Sequence, residues 1–418
     1  ELKTFLVQVV SYLANVRDIH VGYRVLLMLP VPASGESLKM VELSKGEPAN
    51  SEADDGPLLA WLASGPAEGG ALDPELPILD AHHHLWNRSA FKRAPSLSLD
   101  TRGWGGQRLY LLPDYLKDLN NCGHRVLGSV YVDAHSFYRP DGPLLWRAVG
   151  EVEEVQRLSD TPAAKAYGVA AGIVASGQAL RHGRAEAEPI LRAMKAAAPN
   201  LRGVRFMATF EDQSPGRIGS SVEHPGVLAE PLFREAFSLL EQLNLSFDAW
   251  VYSTQLSEVE KLALAFPRVR IVVNHLGGPL GREVEGKHPH PGPVQPPDIH
   301  EKWCQALPRL AACPNVYVKL SGFAMPLLGA EYNQQASPPS SAELAAHISP
   351  FVFRCIEAFG ARRCMFASNF PVDKCGVPYP VLVNAWKRIA RELPLEDRHW
   401  VLHRTACHFY RLQPQAAL

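Results

Sequence analysis

The chain has 418 residues, 46% of them apolar, and its 42 basic and 43 acidic side chains leave a formal charge of −1. That balance gives no electrostatic footprint for nucleic acid or an anionic bilayer, and no apolar run is long enough to span a membrane. The length suits one large domain with an extension, or two domains.

Residues 1–73 read as an N-terminal extension unlike the rest. Positions 5–13 carry the pattern of a short helix and 21–29 that of a strand. Over 31–75, Ser, Glu, Pro, Ala and Gly dominate, with few large apolar residues before 58–62. Such a composition buries too little surface to offset its ordering entropy, so this stretch is expected to be linker-like. The first residue is Glu rather than Met, which leaves any upstream targeting signal out of view.

From 74 to 412 a regular rhythm appears. Short apolar runs recur at 77–81, 126–132, 168–174, 201–207, 245–251, 269–275, 315–321 and 363–368. Between them, 185–197, 231–243, 255–265, 340–359 and 381–393 have the apolar spacing of amphipathic helices. Eight strands alternating with helices predict an α/β fold, a (β/α)8 TIM barrel with inserted loops. The rival is an open doubly wound sheet, but no glycine-rich phosphate turn follows any strand. Seven cysteines (122, 304, 313, 355, 364, 375 and 407) form no CxxC pair. They argue against a disulfide framework and for the cytoplasm or another reducing compartment.

The chemistry of a barrel sits at the C-terminal ends of its strands. The first strand ends in LPILDAHHHLW, residues 76–86. In an ideal strand Asp80, His82 and His84 share one face, with the two imidazoles about 6–7 Å apart, close enough to converge on one cation. Arg205 lies on the fourth strand, His275 at the end of the sixth, and Lys319 on the seventh. The eighth runs into Ser368-Asn369-Phe370-Pro371-Val372-Asp373. His275 would add a third imidazole and leave a position open for water, which a metal converts to hydroxide near neutrality. Arg205 and Lys319 are expected to orient a carboxylate or polarise a carbonyl. Asp248 could face the barrel or the helices, and Trp86 could form an apolar wall of the site or pack in the outer layer. His224 and the proline- and histidine-rich stretch 286–298 are better read as surface loops.

The set DAHHHLW, GVRF, LSFDAWVY, VNHLGGPLG, NVYVKLSG, RCMFASNFPVDK and ACHFYRL, in this order over about 74–412, resembles the amidohydrolase-related TIM-barrel hydrolases. The branch is the one with sugar lactonases and pyrone-dicarboxylate hydrolases. The resemblance implies hydrolysis of a lactone or related ester of a small molecule by an activated water. It maps the metal pair onto His82 and His84 and the sixth-strand histidine onto His275. One divalent ion is implied at most, zinc first and manganese second. The family's strand-eight acid falls on Asn369, whose amide cannot act as a base, so Asp373 is the substitute candidate. A histidine after the fifth strand is replaced in Tyr252-Ser253-Thr254-Gln255-Leu256, and the second strand ends in Asp133 where relatives carry Glu. Two other readings stay open: non-oxidative decarboxylation on the same barrel, and a non-catalytic ligand-binding barrel. Self-association is left open.

Overall fold

The computed structural model describes residues 55–87, 107–210, 220–280, 298–325 and 332–413. The helix and strand expected at 5–13 and 21–29, and nearly all of 286–298, lie outside them.

Eight parallel strands form one sheet in chain order. They are β1 (Ile78–His83), β2 (Val126–Val132), β3 (Gly172–Ser176) and β4 (Leu201–Met207). Then come β5 (Ser246–Trp250), β6 (Ile271–Val273), β7 (Val316–Leu320) and β8 (Cys364–Phe366). The ends of the sheet meet just beyond β8. Ser368 N donates to Asp80 Oδ1 at 2.8 Å, Asn369 N to the His82 carbonyl at 2.8 Å, and His84 N to the Phe370 carbonyl at 2.7 Å. The (β/α)8 architecture is therefore present.

The strands sit where the apolar runs place them, with one shift. The third begins at Gly172 because 168–171 are spent on a turn, with Gly168 and Ala170 at positive φ and the Gly168 carbonyl accepting from Ser129 N. Of the expected helices, Arg184–Ala197, Leu256–Ala265, Ser341–Phe359 and Tyr379–Ala390 form nearly as read. Ser341–Phe359 starts at a reciprocal cap in which Ser340 Oγ accepts from Glu343 N and Glu343 accepts from Ser340 N. The stretch read as 231–243 splits into Pro231–Phe237 and Leu239–Gln242.

Inside the barrel Leu79, Ala81, Val130, Val132, Val174, Val272 and Met365 form an aliphatic core. Phe409 and Tyr410, from the terminal helix Thr405–Tyr410, join it. The helices pack a larger shell around the strands.

The linker-like reading of 31–75 fails at its C-terminal end. Gly56–Ala63 is a helix that buries Leu58, Trp61 and Leu62. Trp61 Nε1 donates to the Gln335 carbonyl at 2.9 Å, and Arg391 grips the Asp73 carboxylate with two bonds of 2.8 Å. Three large side chains on one short helix outweighed the polar average around them. None of the seven cysteines is in a disulfide, and no helix among the described residues is long and apolar enough to cross a membrane.

Candidate active site

β1 does not keep the ideal alternation. Its register against β2 shifts between Ile78 and Asp80 and again between Asp80 and His83. Ala81 packs in the barrel core, yet the neighbouring His82 also turns inward toward Lys319. Asp80 faces the helices instead. Its carboxylate accepts from the hydroxyls of Tyr115 at 2.9 Å, Ser368 at 2.6 Å and Tyr379 at 3.2 Å. The expectation that Asp80 shares a face with His82 and His84 is thus corrected, because an irregular strand breaks the period of two. Asp80 ties β1 to the segment after β8. His83 also faces outward, stacked on Tyr115 with ring centroids 4.1 Å apart.

His82, His84 and His275 come together at the strand ends. His82 Nε2 and His84 Nε2 are 3.1 Å apart, and the His82 and His275 ring centroids are 4.8 Å apart. His84 Nδ1 lies 2.8 Å from the Val132 carbonyl. A carbonyl only accepts, so Nδ1 carries the hydrogen and Nε2 presents its lone pair to the cluster. His275 Nδ1 lies 2.9 Å from Ser321 Oγ. Burial holds His82 well below the usual histidine range, helped by Lys319; burial and Arg205 do the same for His275. Both rings are therefore neutral near pH 7.

The backbone around His275 is unusual. His275 and Leu276 have φ of 52° and 60°, and Gly277 and Gly278 follow at 77° and 56°. Left-handed conformations at two non-glycine residues cost energy and occur preferentially at functional sites. A Cβ on Gly278 would lie 2.4 Å from the Val251 carbonyl oxygen, so only glycine admits that approach.

Two ion pairs underlie the cluster. Lys319 Nζ is 2.6 Å from Asp248 Oδ2 and 3.3 Å from His82 Nδ1, and neither Lys319 nor Asp248 has any exposed surface. Asp248 therefore points into the barrel, where it also accepts from Asn274 Nδ2 at 3.0 Å and Tyr410 OH at 2.9 Å. Lys319 lies behind His82 rather than at an open mouth. Arg205 Nε donates to Asp133 Oδ1 at 2.7 Å, and Arg205 Nη2 to the Asp133 carbonyl. His135 Nε2 is 3.3 Å from Asp133 Oδ2. Burial pushes Asp133 up, but Arg205 and His135 outweigh it and hold it below the usual carboxylate range.

The strand-eight candidates sit side by side. Asn369 Nδ2 donates to Asp373 Oδ1 at 2.8 Å, and Ala324 N reaches Asp373 Oδ2 at 3.3 Å. Burial raises the Asp373 carboxyl to about 7. Trp86 is buried, its ring stacked 5.6 Å from that of His84 and its Nε1 donating to the Gln107 carbonyl at 2.8 Å. It backs His84. Trp250, which sequence reasoning passed over, meets His275 edge-on at 4.6 Å. Also missed were Asp133 as the partner of Arg205, and Tyr410, which lies some 160 residues from Asp248 and left no local signal. His224 is exposed, as a surface loop residue should be.

The family model for amidohydrolases matches residues 79–412. The chain belongs to the amidohydrolase family. Among its relatives is the uncharacterised protein y4mH of Sinorhizobium fredii, 30% identical over 344 residues, spanning 81% of this chain and 99% of that one. An L-fucono-1,5-lactonase of Burkholderia ambifaria is 28% identical over 191 residues, covering 44% of this chain and 56% of the lactonase. The fold is shared with a crystal structure of an amidohydrolase from Burkholderia multivorans with bound zinc. That likeness has a TM-score of 0.57 and 23% identity, over 80% of this chain and 99% of the other.

The donor set of this chain can be tested against such an ion. Two ligands at about 2.0–2.1 Å on a tetrahedral ion stand roughly 3.3 Å apart, close to the separation of His82 Nε2 and His84 Nε2. The carbonyl behind His84 is the support a ligating imidazole usually has. The two fit an ion as a pair. Among the described residues no three His, Cys, Asp or Glu side chains are arranged around one point, and His82 has an ammonium behind it where a ligating imidazole usually has an acceptor.

Proposed function

We propose that this amidohydrolase-family protein hydrolyses a small hydroxylated lactone. Water attacks the ring carbonyl, the ring C–O bond breaks, and the ring oxygen leaves with the proton that the attack released. The observation that carries this reading is the cluster of His82, His84 and His275 beside Arg205, at the C-terminal ends of the barrel strands.

Arg205, anchored on Asp133, donates to the oxygen on which negative charge develops. Asp373 takes the proton and returns it, since a carboxyl titrating at about 7 does both near neutrality. Asn369 holds that carboxylate by its amide. Lys319 acts through His82, and Trp86 fixes the plane of His84. A divalent ion, zinc in the first place and manganese in the second, would be held by His82 and His84 with His275 beside them, and would supply Lewis-acid polarisation and a bound water of lowered pKa.

Charge balance supports the choice of a neutral substrate. Lys319 is matched by Asp248 and Arg205 by Asp133, so the site holds no surplus of cations for a polyanion. A neutral, hydroxylated ring suits it, and the fuconolactonase relatives point the same way.

The test is acid release in a pH-stat from a panel of sugar-acid lactones, for the wild type and for His82→Ala/His84→Ala. Turnover lost in the double variant supports the proposal, and unchanged turnover removes the site. Carbon dioxide released from an aromatic acid instead would replace hydrolysis by decarboxylation. Tight binding without turnover would make this a binding barrel.

A further inference from the structure

At the opposite end of the barrel, around the starts of β4 and β5, lies a concavity of about 380 Å³. Lys195, Arg202 and Arg411 line it with Asn244, and no acidic side chain does. We propose that this concavity is an anion site for a tetrahedral phosphoryl group, either inorganic phosphate or the head of a small phosphate ester.

The cations are held in place by backbone. Lys195 Nζ donates to the Leu243 carbonyl at 2.6 Å, and Arg202 Nη1 to that of Pro199 at 2.8 Å. Arg411 Nη2 donates to the carbonyls of Arg202 at 2.6 Å and Asn244 at 3.1 Å. These bonds fix the positions of the three cations without neutralising them. Arg411 Nε and Arg202 Nε and Nη2 find no acceptor among the described residues, so donors remain for a ligand. Among the described residues no carboxylate acts on Arg202 or Arg411; burial and then the guanidiniums of Arg270 and Arg202 push Arg411 down to about 10, against a small opposing pull from Tyr410.

The competing explanation is that each cation only caps a helix end. Arg184–Ala197, Leu239–Gln242 and Thr405–Tyr410 all end near this face. A full helix terminus carries about half a negative charge, so three would offset about 1.5 charges, fewer than the three cations present. The excess is positive, and forked guanidiniums suit phosphate oxygens.

Thermal unfolding of the full chain with inorganic phosphate, at ionic strength held constant with sodium chloride, tests the site. The proposal expects a saturable rise in Tm that needs at least tenfold more phosphate in Lys195→Gln and in Arg202→Gln. Lys195 is exposed, so its variant should fold normally, which circular dichroism checks. Glycerol 3-phosphate binding more tightly than phosphate would identify an ester as the ligand, and equal binding would identify the free ion. No saturable shift in the wild type, or the same shift in both variants, would overturn the assignment.

Discussion

Lys319 Nζ lies 2.6 Å from Asp248 Oδ2 with both side chains sealed from solvent, and the same nitrogen stands 3.3 Å behind His82 Nδ1. Removing one partner of such a pair strands the other charge, which typically costs 3–5 kcal/mol. Asp248→Asn should therefore lower the stability measured by urea denaturation by about 3–5 kcal/mol. Asp248→Asn/Lys319→Met should recover part of that loss. A double variant no more stable than the single one would show that the two charges are not coupled.

Gly322 is expected to be needed for the placement of His275. Its φ is +76°, and a Cβ there would stand 2.5 Å from Met325 Cε and 3.0 Å from His275 Cβ. Gly322→Ala should cost about 1–3 kcal/mol of stability and lower kcat/KM by more than the loss of folded protein explains. A variant that loses stability but keeps full specific activity would separate His275 from the chemistry.

Zinc binding has a readout that does not depend on turnover. Equilibrium dialysis against zinc should load at most one equivalent on the wild type, and His82→Ala/His84→Ala should load none. Undiminished loading of the double variant would place the ion elsewhere.

The pH dependence follows from Asp373. Its carboxyl is raised from 3.8 to about 7 by burial, so the folded protein holds this proton where the unfolded chain has released it. The stability contribution is intact below about 3.8 and is lost as pH rises toward 7. Asp373→Asn removes that penalty, so the gap in Tm between variant and wild type should grow in the variant's favour from pH 4 to pH 8. Activity should move the other way. In the wild type kcat/KM should climb with pH through about 7 as the carboxylate forms, and in Asp373→Asn it should be low and flat. A variant that keeps the wild-type profile would assign the proton to another group.

How far the sequence reached depends on the range of the cause. The strand runs and most helices are local patterns of apolar residues, and the barrel followed from their repetition. His82, His84 and His275 were recognisable because each stands at the end of such a run, where a barrel carries its chemistry. The helix Gly56–Ala63 was missed because so short a segment gains its stability by docking, and the polar composition of the residues before it hid the apolar run at 58–62.

What only the tertiary structure decided is which groups meet. The register slip in β1 turns Asp80 away from the histidines, and nothing in HHH announces a bulge. Asp248 gains Tyr410 from the far end of the chain, and Arg205 gains Asp133 from the residue that follows β2. The charges that hold Lys319 and Arg205 in place, and so set the electrostatics of the candidate site, depend on distances of a few ångströms between remote residues. Periodicity determines which face a side chain is offered to; packing determines what it finds there.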